Sequence, residues 1–165
     1  MLALPAQATE LYAGISAHGV NLGLVRGTYE HGADLVGGIR SAPIARFSRT
    51  EVRVHAFGSV NLNGGVDYIA TGADLRIPLI RGVYVQPGLG AAVHDGPGDR
   101  YQRTPDRLYL GSRVLFEPEL TLGVHATRSW SAELAYVHLS HAQLAGPQNP
   151  GLDTIGLRLA YRFGR

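Results

Sequence analysis

The stretch 135–144 reads AYVHLSHAQL and sets His138 and Ser140 one residue apart, with His141 directly after. A hydroxyl beside an imidazole is the pairing of a nucleophile with a general base. A carboxylate would complete the set by orienting the base. Side chains alternate across a strand, so His138 and Ser140 share one face and His141 lies on the other. A metal site built from His138, His141 and Asp153 is disfavoured for that reason, because the two imidazoles converge only across a bulge. His-x-Ser alone is weak grounds in a chain with seven histidines. The bland alternative is a histidine and a serine at a strand end, bonded to lipid headgroups or loop backbone.

The elements that position these residues are legible as period-two alternation, which recurs in nearly every segment while helical periodicity is hard to find. In ELYAGISAHGV, Leu11, Ala13, Ile15 and Ala17 oppose Tyr12, Gly14, Ser16 and His18. In TEVRVHAFGSVNL, Val52, Val54, Ala56, Gly58, Val60 and Leu62 alternate with Glu51, Arg53, His55, Phe57, Ser59 and Asn61. In LYLGSRVLFEPELTLGV, Leu110, Val114, Phe116, Leu120 and Leu122 oppose Arg113, Glu117, Glu119 and Thr121. Further strands are predicted over 32–42, 65–76, 82–94, 130–142 and 152–163, eight in all. Turn signals separate them at NGG 63–65, DGPGDRYQRTPDR 95–107 and GPQNPG 146–151. No internal repeat or second-domain linker is visible.

Composition narrows the setting. The 165 residues suit one domain, charged residues make up 17%, and 22 glycines are present. There is no cysteine, which excludes disulfides, thiol catalysis and cysteine metal sites. All fifteen cationic side chains are arginine, and the net charge of +2 with no basic block argues against nucleic acid. No apolar run is long enough for a transmembrane helix. The opening MLALPAQA ends in Ala6-Gln7-Ala8, the form of a signal-peptidase site. Residues 1–8 are therefore expected to be the remnant of a signal peptide, with a single barrel domain over 9–165. A native, unprocessed N-terminus is the alternative.

One face of each strand is apolar and the other carries charges and glycine. Strands of about ten residues, an even count and an export signal favour an eight-stranded antiparallel transmembrane β-barrel, apolar outside and polar inside. A soluble barrel or sandwich is the competing all-β fold. With both termini periplasmic, the 95–107 and 143–151 loops face the cell exterior. In the seventh strand Trp130, Ala132, Leu134, Tyr136, His138 and Ser140 face lipid, while Ser131, Glu133, Ala135, Val137, Leu139 and His141 face inward. In the eighth, Asp153 shares the outward face with Ile155, Leu157, Leu159, Tyr161 and Phe163. Neighbouring strands lie about 4.8 Å apart, so Asp153 is expected beside His138 and Ser140 at the outer rim. His18, His31, His55, His94 and His125 read as structural or solvated.

At these residues the sequence resembles a known family. YVHLSHAQLAGPQNPGLDTIGLRLAYRF resembles the C-terminal signature of the lipid A 3-O-deacylase (PagL) family of outer-membrane acyloxyacyl hydrolases. The matching positions are His138, Ser140, Ala142, Asn149, Pro150, Gly151, Leu152 and Asp153. The resemblance implies an outer-membrane serine esterase that hydrolyses the 3-position acyl ester of lipid A in lipopolysaccharide at the outer leaflet. It assigns Ser140 as nucleophile, His138 as general base and Asp153 as the group orienting it. Asn149 is the implied oxyanion donor, together with the backbone N–H that follows Ser140. His141 stands where the family has asparagine, a departure that bears on rate or specificity. The resemblance requires no metal and no organic cofactor. Arg100, Arg103 and Arg107 in the long outer loop suit lipid A phosphates or sugar acids, or serve only as solvated charges. The competing functions are a non-enzymatic small barrel acting as structural protein or adhesin, and a soluble lipocalin-like carrier with an apolar interior. The sequence leaves the oligomeric state open.

Overall fold

The computed structural model describes residues 9–22, 30–98 and 107–163. The expected signal remnant, Arg100 and Arg103 lie outside the described residues. The strands are β1 (Thr9–His18), β2 (Gly32–Arg40), β3 (Ala45–Phe47), β4 (Thr50–Asn61), β5 (Tyr68–Pro78), β6 (Val83–His94), β7 (Val114–His125), β8 (Trp130–Leu139) and β9 (Leu152–Phe163). All pairings are antiparallel. β1 pairs with both β2 and β9, and β2 pairs with β4, so eight long strands close into a ring. β3, which the sequence pattern does not announce, folds back only on the start of β4. Closure matters because lipid offers no partner to an unpaired strand edge.

Thr9 lies opposite Phe163, so both ends of the barrel domain meet at one rim. At that rim the turns 79–82 and 126–129 are short and the connection 41–49 carries β3, whereas at the other rim 62–67 is short and 19–31, 95–113 and 140–151 are long. Short turns on the periplasmic side and long loops outside are the habit of outer-membrane barrels. Trp130 and Tyr161 pack together at the periplasmic rim with ring centroids 4.9 Å apart and planes tilted by 55°, where aromatic rings sit at a membrane interface.

The apolar faces point outward. Leu11, Ile15, Leu35, Ile69, Leu89, Leu120, Leu134 and Leu157 are all exposed, Leu157 to 65%. Each such side chain left in water forgoes about 1.5–3 kcal/mol of burial, so a wall made of them demands lipid. The interior is charged. Arg40 is fully buried and binds Glu133 through two bonds of 2.7 and 3.0 Å, and Arg76 binds Glu10 through 2.6 and 2.7 Å. Arg158 reaches Glu119 at 2.9 Å, and His55 bridges Asp74 and Glu117 at 3.2 Å each. A lipocalin-like carrier would show the reverse, an apolar interior, and is ruled out by this distribution. Gly123 is needed inside because a Cβ there would collide with the Tyr84 ring, which itself donates to Glu133 at 2.6 Å.

Two expectations for the strand after the long loop need correction. Leu110 does not face lipid: it is fully buried, outside β7, in a segment with Leu108 that tucks into the extracellular mouth. Arg113 does not face the interior but is exposed, donating to the Gly96 carbonyl at 2.7 Å. The alternation in the sequence continues past Gly111, but the chain does not, because Gly111 adopts a φ of 76° that turns it out of the strand path.

Candidate active site

The site is built where β8 and β9 end at the extracellular rim. Their register sets His138 directly opposite Asp153 and Leu139 opposite Leu152. His138 Nδ1 meets Asp153 Oδ1 at 2.5 Å. Asp153 is fully buried and the His138 side chain is 13% exposed. With Nδ1–H donated to the carboxylate, Nε2 is the nitrogen that carries the lone pair. Outward parity is as expected through β8: Trp130, Ala132 and Leu134 are exposed, Tyr136 and His138 half-buried, while Ser131, Glu133, Ala135, Val137 and Leu139 are buried. Ser140 pairs with the outward-facing Phe116 but is itself buried, at 9% exposure.

Ser140 follows the last residue of β8 and is held by a bridge to Phe116 of β7. The Phe116 N–H donates to the Ser140 carbonyl at 2.7 Å, and the Ser140 N–H to the Phe116 carbonyl at 3.2 Å. The N–H and the carbonyl of the residue that carries the hydroxyl are thus both fixed to β7. Among the described residues no hydrogen bond joins the Ser140 hydroxyl to the His138 imidazole. Hydrogen bonds of this kind are often long in ligand-free sites and tighten when substrate is bound.

Beyond Ser140 the chain makes a tight turn. The Leu144 N–H donates to the His141 carbonyl at 2.9 Å, across Ala142 and Gln143 at φ values of 51° and 63°. Two successive non-glycine residues in the left-handed region cost of order 1–3 kcal/mol each, so the surroundings must hold them. His141 does much of that holding. It points inward, is buried, donates from Nε2 to the Gln148 carbonyl at 2.6 Å, and accepts the Ala145 N–H on Nδ1 at 3.3 Å. Gln148 in turn donates to the Tyr109 carbonyl at 2.9 Å, which ties this loop to the segment that fills the mouth. No pattern in the sequence signals this role.

Asn149 is brought to the site, in an arrangement the sequence did not foresee. Its Oδ1 accepts the His141 N–H at 3.1 Å, so the side chain and the backbone N–H expected to share an oxyanion are bonded to each other. That bond orients the asparagine amide and leaves Nδ2 as its donor. Arg107 lies on the loop rim and faces Glu30 at 3.5 Å.

A family model described as lipid A 3-O-deacylase (PagL) matches residues 78–162, more than half of the chain. The chain belongs to the lipid A 3-O-deacylase family. The matched stretch runs from the end of β5 into β9 and contains His138, Ser140, Asn149 and Asp153. In structure the barrel is similar to the crystal structure of the outer membrane enzyme PagL, with a TM-score of 0.68 and 17% identity over 92% of this chain and 98% of that one. It is similar also to a de novo designed transmembrane β-barrel, with a TM-score of 0.60 and 10% identity over 99% and 100% of the two chains. Neisserial surface protein A matches with a TM-score of 0.55 and 12% identity over 97% and 100%. At such identities the structural likeness carries the fold. No curated protein matches the sequence. Membership makes the chain an outer-membrane ester hydrolase acting on lipid A, and the purely structural or adhesive reading gives way to it.

Proposed function

We propose that Ser140, His138 and Asp153 form the triad that hydrolyses the 3-linked acyl ester of lipid A, with Asn149 supporting the oxyanion. The observation that carries this reading is the His138–Asp153 bond on the lipid-facing wall, with the carboxylate fully buried. A buried carboxylate on a wall that faces hydrocarbon is costly unless it serves something.

Ser140 Oγ attacks the ester carbonyl carbon while His138 Nε2 takes its proton, and Asp153 stabilises the resulting imidazolium without becoming protonated. The tetrahedral oxyanion is met by Asn149 Nδ2. Collapse breaks the bond to the sugar oxygen, which leaves with the proton from His138. Water then attacks the acyl-serine, again deprotonated by His138, and the fatty acid departs from a regenerated Ser140. A site on the outer wall suits this substrate, since the acyl chains of an outer-leaflet lipid lie alongside the barrel.

The test is to fold the protein in detergent, add lipopolysaccharide, and weigh the lipid A by mass spectrometry. Loss of one 3-linked acyl chain by the wild type, absent with His138→Ala and with Ser140→Ala, is the expected result. Persistence of the loss in both variants would remove the triad from the reaction.

A further inference from the structure

Tyr136 lies on the lipid-facing side of β8, two residues before His138, and pairs with Ile155 on β9. Asp153, two residues from Ile155 on the same face, is its diagonal neighbour, a separation that an aromatic side chain spans. Asp153 spends Oδ1 on His138 and has no hydrogen-bond partner on Oδ2, which is buried. The Tyr136 hydroxyl is buried too, and it also has no partner that meets full hydrogen-bond geometry. The hydroxyl and the carboxylate nevertheless lie close enough to interact. A carboxylate oxygen without a donor, on a wall facing hydrocarbon, is a costly arrangement that a hydrogen bond from a neighbouring hydroxyl would relieve.

We infer that Tyr136 is a positioning residue for the reaction: its hydroxyl donates to Asp153 Oδ2 and holds the carboxylate with Oδ1 on His138 Nδ1. The imidazole thereby keeps the tautomer that leaves Nε2 free to take the serine proton. This inference rests on the triad reading above. It also gives Tyr136 a task that its place in the Trp130 and Leu134 stripe conceals, because a tyrosine there passes for ordinary lipid-facing wall.

Fluorophosphonate labelling of Ser140 in the folded protein reads activation of the nucleophile without lipid A. Tyr136→Phe keeps the ring and removes only the hydroxyl. The labelling rate is expected to fall about tenfold, the scale of one hydrogen bond to a charged group. The acid limb of its pH profile moves to higher pH, because a carboxylate that has lost a donor holds the proton on the dyad more tightly. With lipid A as substrate, kcat falls and KM stays within about twofold. A variant labelled at the wild-type rate with an unmoved acid limb overturns the inference. A wild type that does not label at Ser140 overturns the triad reading instead, so the two failures are distinct. Should Tyr136→Phe not fold, 3-fluorotyrosine placed at this position alone keeps the hydroxyl and makes it more acidic. The acid limb then moves to lower pH, and a limb that stays in place overturns the inference equally.

Discussion

Two clusters in this barrel contain a histidine, an aspartate and a serine, one inside the wall and one outside it. Inside, near the extracellular mouth, His18 Nδ1 lies 2.9 Å from Asp34 Oδ1, and the Ser59 hydroxyl donates to Asp34 Oδ2 at 3.2 Å. Asn61 donates to the same carboxylate at 2.8 Å, and the far nitrogen of His18 faces Glu30 at 3.5 Å. Outside, His138 meets Asp153 with an equally direct bond, and Ser140 follows on the same face. The interior serine is bonded to the carboxylate, so it has no base, and both nitrogens of the imidazole face carboxylates. On the wall the serine hydroxyl and the far imidazole nitrogen carry no hydrogen bond among the described residues. Residue types alone do not separate a triad from a structural knot. What separates them is which atoms remain unspent and whether a substrate can reach them.

The sharpest way to break this distinction is to neutralise each aspartate. Asp153→Asn should lower deacylation about 10⁴-fold in a barrel that still folds, because the imidazole loses the partner that fixes its tautomer. Asp34→Asn should instead destabilise the barrel by about 3–5 kcal/mol and leave the rate per folded molecule within about twofold. Deacylation rates normalised to folded protein, read from heat-modifiable gel mobility, separate the two. Equal losses of rate would erase the difference between the clusters.

Glu133→Gln perturbs only the interior network. It removes the carboxylate that Arg40 binds through two hydrogen bonds and leaves the buried guanidinium only the longer contacts to Glu119, Glu10 and Asp74 at 3.7, 3.8 and 3.9 Å. Urea unfolding in lipid vesicles should show a loss of about 3 kcal/mol with the rate per folded molecule unchanged. A catalytic defect without a stability defect would mean that the interior network does more than hold the barrel.

Much of the outer cluster is legible in the sequence. Period-two alternation marks most of the eight long strands, since a wall with lipid on one side and charge on the other prints its pattern on the segments, and it is blurred only over 65–76. Parity alone put Asp153 beside His138, because both follow from counting along two adjacent strands. The interior trio was invisible: His18, Asp34 and Ser59 sit on three strands, and only their mutual register brings them together. β3 has three residues, too few to show alternation. Leu110 was misread because alternation continued through a glycine that turns the chain aside. The task of His141 was hidden for another reason, since its bond to the Gln148 carbonyl depends on the path of a loop that no periodicity describes.

His141 therefore tests the outer cluster at a finer level. His141→Ala removes two hydrogen bonds that hold the turn beyond Ser140 and frees the segment carrying Asn149. Each bond is worth about 1 kcal/mol, so kcat should fall about tenfold with little change in the unfolding midpoint. An unaltered kcat would show that the turn does not need this anchor.

The smallest expected effect lies at the mouth, where Glu30 accepts the Leu108 N–H at 2.8 Å and the Val66 N–H at 2.7 Å. Burial alone would raise its carboxyl, but the His18 imidazole and these two amides outweigh burial and hold it below its ordinary 4.5. A depressed carboxylate contributes its full stability above the ordinary value, and that contribution is lost as pH falls through the depressed one. Amide exchange at Leu108 and Val66 should accelerate only on acidification below the ordinary carboxylate value. Protection that stays constant through the acid range would mean that other contacts hold the segment.

Trapping the acyl-enzyme shows whether Ser140, on the lipid-facing wall, is the nucleophile. Folded protein mixed with lipopolysaccharide and quenched in acid is digested, and its peptides are weighed. One fatty acyl group is expected on the peptide containing Ser140, none on the peptide containing Ser59, and no adduct in Ser140→Ala. An adduct on another residue, or deacylation by Ser140→Ala at the wild-type rate, would contradict that role.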